Sequence, residues 1–266
     1  MILAVMLLGA LGTLWPLRGL AELAREGFLR RANFRGELVP TGMGVSFLLG
    51  SSLGLVGGLW LGVYGIQDAL LLTTVLFGFG FLGLVDDLWG DHAHRGLGGH
   101  LRVALQGKVS TGLLKAVYGG LLALGAALFS GGKEGLLVNA LIIALTTNTL
   151  NLLDLRPGRC GKAFLLGSLL LFCIGETSAL RQLLPVIGGV LAYLPWDMRR
   201  VVMMGDAGAN PLGALLGIGI IGLAGPMRAF SLLLLIGIHL YSEKYSLSRL
   251  IDDNPVLRFL DKLGCD

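Results

Sequence analysis

Charge is what this chain has least of. Only 14% of its residues are charged, against 54% hydrophobic, and the mean hydropathy is +0.77 over 266 residues. A soluble domain carries nearer a quarter charged residues, so the shortage excludes an ordinary water-exposed surface and points to a polytopic membrane protein. Cysteine is equally scarce. Cys160, Cys173 and Cys265 are odd in number and scattered, without metal-ligand spacing, which argues against both a disulfide framework and a zinc site. There is no internal repeat, heptad array or low-complexity segment, so a single membrane domain is expected. The apolar amino end, MILAVMLLGALGTLWPL, has no basic region ahead of it and no small-residue cleavage site, and reads as a retained first span. Glycine, by contrast, is plentiful at 43 residues, as suits helices that must approach closely in a bilayer.

Hydropathy places spans near residues 2–20, 43–66, 69–85, 111–130, 135–152, 163–180, 183–194, 211–224 and 227–241. The fold class expected is therefore all-α: a polytopic helical bundle of about nine transmembrane helices over residues 1–241, followed by an amphipathic tail over 242–266. With the amino end outside, all but Lys133, Arg181 and Arg228 of the 21 lysines and arginines fall on one side. The positive-inside rule makes that side cytoplasmic. The modest net charge of +4 records this orientation, and no nucleic-acid signal accompanies it.

The cytoplasmic connections hold nearly every unusual polar residue. The first, NFRGELVPTGMG, contains Asn33 and Arg35 and ends in a tight turn at Pro40–Gly42, where exposed N–H groups before a helix suit a phosphate or carboxylate. In the second, an apolar run stops at Asp86 and Asp87, with Asp91 one helical turn on. Paired acids at a membrane surface must face water, a metal or a cationic partner, and such a cluster suits Mg2+. His92, His94 and His100 follow without a second ligand set at zinc spacing and read as surface histidines. The third, TTNTLNLLDLRPGR, sets Asn148, Asn151 and Asp154 three residues apart, a drifting polar stripe able to bond a base or sugar or complete a metal site. In the fourth, MMGDAGANPLG, small residues flank Asp206, which would let a bulky ligand come close; a helix cap is the alternative reading. His239 and Glu243 lie at the root of the tail, where Ile251, Val256, Leu257, Phe259, Leu260 and Leu263 can form an amphipathic face at the membrane surface.

Taken together, NFRG with PTGMG, DD, NTLNLLD and MGDAG resemble, from about Asn33 to Gly213, the polyprenyl-phosphate N-acetylhexosamine-1-phosphate transferases. That superfamily, glycosyl transferase family 4, includes bacterial MraY and WecA. The resemblance implies an enzyme in which a polyprenyl phosphate such as undecaprenyl phosphate attacks the sugar-bearing phosphate of a UDP-N-acetylhexosamine. UMP leaves, and a polyprenyl-diphosphate-linked sugar remains for cell-envelope glycan synthesis. By the family pattern Asp206 is a Mg2+ ligand, with Mn2+ as a substitute, and Asp86 and Asp87 bind metal or take a proton from the acceptor. Asn151, Asp154 and, behind them, Asn148 sit by the metal or nucleotide, while Arg35, Arg102 and Lys115 are candidates to hold phosphates and His239 to contact substrate. A plasma-membrane location with a cytoplasmic active site follows, and the resemblance leaves room for a homodimer.

Two departures stand out. The family continues NLxDGLDGL, whereas NLLDLRPGR places Pro157 where the second acid would be and adds Arg156 and Arg159. The histidine cluster of the MraY branch is reduced to His239, which argues against a muramyl-pentapeptide donor. Two other readings compete: a transporter or a catalytically altered member that binds lipid-linked intermediates or acts as a scaffold, and a UbiA-type intramembrane prenyltransferase. The second needs two Asp-rich motifs with acids at four-residue spacing, and Asp154 and Asp206 stand alone.

Overall fold

The computed structural model describes residues 1–27, 29–90, 111–175 and 180–265. Its long elements are helices: α1 (Ile2–Glu26), α2 (Val45–Trp60), α3 (Ile66–Trp89), α4 (Thr111–Gly131), α5 (Leu136–Leu153), α6 (Arg159–Ile174), α7 (Leu184–Met198), α8 (Asp206–Ile221) and α9 (Gly225–Lys244). Two short helices, α10 (Leu247–Asp253) and α11 (Pro255–Lys262), form the tail. Each expected span has one helix, and the all-α class holds. Four helices, α1, α3, α4 and α5, are long and apolar enough to cross a membrane, and α2 and α8 are shorter apolar helices. Many large apolar side chains point outward from these helices, among them Leu3, Leu7, Trp15, Trp60, Phe81 and Leu141. An apolar exterior around a packed interior identifies an integral membrane protein.

The connection between α1 and α2, expected as a loop ending in a tight turn at Pro40–Gly42, is more ordered than that. It forms a hairpin of β1 (Arg30–Ala32) and β2 (Leu38–Pro40), antiparallel, with Arg31 opposite Val39. Three-residue strands are too short to show alternation, so the pattern had nothing to reveal. Asn33 closes the turn: its Oδ1 accepts the N–H groups of Arg35 and Glu37, and its Nδ2 donates to the Glu37 carboxylate at 2.9 Å. Three of the N–H groups expected to face a ligand beyond Pro40 are occupied. Thr41 donates to Leu29 O, Met43 to Met203 O and Gly44 to Met204 O.

Helix α8 is the axis of the assembly. Every residue from Ala207 to Gly217 is buried, against α3 on one side and α5 on the other. A Cβ on Gly213 would lie 2.4 Å from Thr147 Cα and one on Gly217 2.7 Å from Ile143 Cα, so glycine is what lets α8 and α5 touch backbone to backbone. Helices α1, α2 and α7 form a second packed group. The buried hydroxyls of Thr146, Thr147 and Thr149 bond carbonyls one turn back, which satisfies them without a partner helix.

Helix α8 begins at Asp206, five residues before the expected Pro211. The expected boundary follows the apolar run, which hydropathy picks up only after the polar residues Asp206 and Asn210. Here the first turn is supplied with acceptors from elsewhere, and Pro211 lies inside the helix.

Candidate active site

Four helix ends meet at one end of the bundle: the carboxyl ends of α3 and α5 and the amino ends of α4 and α8. They bring together Asp86 and Asp87, Asn151 and Asp154, Lys115, and Asp206, six of the residues singled out by sequence.

Asp87 organises the junction. Its Oδ1 accepts the N–H of Asp206 at 3.0 Å and its Oδ2 the N–H of Ala207 at 2.9 Å. A carboxylate from α3 thus caps the amino end of α8, where orphan N–H groups and the helix dipole both favour negative charge. At the other end of this contact, the Arg31 guanidinium donates to the main-chain carbonyl of Asp87 through Nε at 3.2 Å and Nη2 at 2.8 Å. The glycines here serve the chain's own packing. Gly205 has φ +71°, and a Cβ on it would stand 2.5 Å from Asp87 Oδ2; one on Gly83 would stand 2.1 Å from Asp206 O. The small residues around Asp206 therefore seat α3 against α8, a use the sequence had assigned to ligand approach.

Asp206 points the other way, into a polar nest. Its carboxylate accepts from the Lys115 ammonium, and Asp86 Oδ2 lies 3.8 Å from the same nitrogen. Asn151 completes the nest. With its amide oriented to satisfy both atoms, the nitrogen donates to Asp206 Oδ1 at 2.7 Å and the oxygen accepts from Lys115 Nζ at 3.0 Å. One ammonium is held by oxygens of Asp86, Asn151 and Asp206, all only about a quarter exposed or less for the charged three. Among the described residues no three His, Cys, Asp or Glu side chains converge as a metal cluster. The two carboxylates and the amide oxygen are nevertheless hard donors aimed at a common cation, and that donor chemistry suits Mg2+.

Asp154 ends α5 and lines a cleft with the hairpin (Asn33, Phe34, Val39), the Leu155–Pro157 turn, the last turn of α7 (Asp197) and the segment after it (Arg200, Met203). Burial holds its carboxyl well above the usual range, and the carboxylates of Asp197, Asp206 and Asp87 push the same way. Asp197 is 3% exposed and accepts the N–H of Gly158 at 2.9 Å. Sequence reasoning missed it, although it satisfied the criterion applied to Asp154: an acid where an apolar run ends, in WDMRR.

A second recess is apolar. A groove of about 330 Å3 runs between α3 (Gly78, Phe81, Leu82, Val85) and α4 (Thr111, Leu114, Tyr118, Leu122), with Lys115 in its wall.

Other expected site residues lie apart from the nest. Arg35 is exposed, its guanidinium 5.5 Å from the Phe34 ring centroid, and Asn33 is engaged in its own turn. Asn148 is exposed on α5. His239, on α9, bonds Leu235 O through Nδ1 at 2.8 Å. Arg102, with Asp91, His92, His94 and His100, lies outside the described residues.

Residues 69–225, more than half of the chain and spanning α3 to α8, match the model of glycosyl transferase family 4. The chain belongs to this family. It is also 31% identical over 194 residues to a phospho-N-acetylmuramoyl-pentapeptide-transferase of Moorella thermoacetica, a match that covers 67% of this chain and 59% of that relative. The chain thus spans about three fifths of the length of the curated relative it matches. The family region contains all six residues of the junction, and it leaves the hairpin, His239 and the tail outside. Membership also removes the UbiA-type prenyltransferase reading.

Proposed function

We propose that the chain transfers a sugar-1-phosphate from a UDP-N-acetylhexosamine to a polyprenyl phosphate, releasing UMP. The observation that carries this reading is the pairing of a cation-holding carboxylate nest with an apolar groove at a shared residue, Lys115. An amphiphile with an anionic head and a long hydrocarbon tail has the shape of that pair. In this reading the first isoprene units lie along Phe81, Leu114 and Tyr118, and the phosphate meets the Lys115 ammonium. The donor occupies the cleft bounded by Phe34, Asp154 and Arg200, which brings its diphosphate toward Asp206.

The acceptor phosphate oxygen attacks the sugar-bearing phosphorus; the bond from that phosphorus to the oxygen bridging to the uridine phosphate breaks, and UMP carries that oxygen away. Phosphoryl transfer depends mainly on positioning and charge neutralisation. Asp87 has both carboxylate oxygens on the α8 cap, so it acts by fixing Asp206 in place. Asp86, free of such duty, takes a proton from the acceptor if the phosphate arrives singly ionised. Asp206, with Asp86 and Asn151, would hold Mg2+, which when bound supplies positive charge to the phosphate oxygens. Lys115 neutralises the acceptor phosphate and offsets part of the carboxylate charge of Asp206 and Asp86. The nine long helices are read as nine spans, amino end outside, with this end of the bundle facing the cytoplasm across the plasma membrane.

The relative from Moorella thermoacetica is named for a muramoyl-pentapeptide donor, while the single late histidine, His239, favours a simpler N-acetylhexosamine here. Purified protein with undecaprenyl phosphate and Mg2+ is offered UDP-GlcNAc, UDP-GalNAc and UDP-MurNAc-pentapeptide separately. UMP release with UDP-GlcNAc or UDP-GalNAc is the expected result. Release with the muramyl donor alone would overturn the sugar assignment. Silence with all three, from folded protein, would favour a member that binds lipid-linked intermediates without turning them over.

A further inference from the structure

The segment that departs from the family pattern, LRPGRCGK, is where the tail is fastened. Arg159, 5% exposed, donates through Nε and Nη2 to the two carboxylate oxygens of Asp261 at 2.7 and 2.8 Å, and through Nη1 to Ser248 Oγ at 2.8 Å. Lys162 bonds the carbonyl oxygens of Asp261 and Leu263, where the carboxyl end of α11 favours a cation. The thiol of Cys265 donates to Pro157 O at 3.4 Å, and Gly264 packs on Met198, the same side chain that covers Gly158. Arg156 spans the two sides: it lies 4.6 Å from the Phe34 ring centroid and 3.9 Å from the Asp252 carboxylate.

The consequence falls on the turn from Asp154 to Gly158, which forms one wall of the cleft beside Phe34. From within the bundle it is held by Asp197 through the Gly158 N–H, and from outside by the tail through Pro157 and Arg159. Gly158 has φ +73°, which glycine adopts without strain, so the turn is held by its partners and not by a steric restriction of its own backbone. A bidentate guanidinium–carboxylate pair with little solvent access is directional enough to hold it.

We infer that Arg159 and Asp261 are a positioning pair: the carboxyl-terminal helices α10 and α11 set the Asp154–Gly158 turn and thereby the affinity for the uridine-diphosphate part of the donor. This inference rests on reading that cleft as the donor site. It assigns a function to the arginines on either side of Pro157, which stands where the family carries its second acid.

The test uses the full chain in detergent, comparing wild type, Asp261→Ala, Arg159→Asp and the charge-exchanged double variant. Hydrogen exchange is followed across residues 154–162, UDP binding by equilibrium dialysis, and donor and acceptor KM in the transfer assay. Asp261→Ala is expected to raise exchange in the turn, to weaken UDP binding and raise donor KM about tenfold, a moderate loss for a displaced binding wall, and to leave kcat and acceptor KM within about twofold. The double variant recovers most of the UDP affinity lost in Arg159→Asp. Unchanged exchange in Asp261→Ala would overturn the inference, as would a loosened turn with unchanged UDP affinity. If wild type transfers no sugar, the proposed function fails; exchange and UDP binding still decide the positioning role by themselves.

Discussion

Replacing Asp87 by Asn separates a structural carboxylate from a reacting one. The side chain would keep one acceptor oxygen for either Asp206 N–H or Ala207 N–H, while its new NH2 group would face the other donor. One hydrogen bond to a charged group is lost, about 1.5–3 kcal/mol, and the interaction of a full negative charge with the α8 amino end, about 0.3–1 kcal/mol, goes with it. Relief of repulsion from Asp86 and Asp206 offsets part of this. The net expectation is a loss of about 2 kcal/mol for Asp87→Asn and about 4 kcal/mol for Asp87→Ala, which leaves both N–H groups without an acceptor. Asp86→Asn removes an equal charge one residue away but no cap; it gives up a long ion pair to Lys115, about 0–1 kcal/mol, while relieving repulsion from Asp87 and Asp206, and should stay within about 1 kcal/mol of wild type. Equilibrium unfolding in mixed detergent micelles measures all three. An Asp87→Asn protein as stable as wild type, or Asp86→Asn as the more damaged of the pair, would refute the cap.

Three further outcomes follow from the same geometry. Gly205→Ala forces a Cβ onto a positive-φ residue 2.5 Å from the Asp87 carboxylate; it should lower the unfolding midpoint and remove transfer together, and wild-type behaviour in either measurement would contradict the close contact. Asp154 has a raised pKa in the folded chain, so folding takes up a proton and stability falls as pH rises from the ordinary carboxylate value to the folded one. Asp154→Asn should therefore stabilise the protein at neutral pH, with the gain vanishing on acidification; a gain independent of pH would count against the carboxylate crowding. Leu114→Trp fills the groove between α3 and α4 and should raise KM for a long polyprenyl phosphate about tenfold, a change of about 1.4 kcal/mol, while sparing UDP binding. Equal weakening of both substrates would place the lipid elsewhere.

Much of the helical frame was legible because membrane spans announce themselves by apolar length, and the four motif ends sat at the limits of those spans. Asp86, Asn151 and Asp206 were found because an acid or amide at such a limit must have a partner. What sequence left open was which partner. The cap of α8 by Asp87 joins residues 119 apart, and hydropathy, which follows the apolar run, set the start of that span at Pro211 and not at Asp206. Asp197 was passed over because its segment carried no family motif, and its partner is a backbone N–H that composition does not reveal. Arg156 and Arg159 were legible only as surplus charge, since the Asp261 that explains Arg159 lies 102 residues further on. The hairpin was hidden by the brevity of its strands.

The most direct test of the proposed chemistry is to follow the phosphorus. Purified protein in vesicles containing undecaprenyl phosphate is given UDP-N-acetylglucosamine labelled in the phosphate next to the sugar. The account predicts that the label enters the lipid fraction as the polyprenyl-diphosphate sugar while unlabelled UMP appears in equal amount. Labelled UDP in the aqueous phase, with unlabelled phosphate on the lipid, would mean that sugar alone is transferred and would contradict the account.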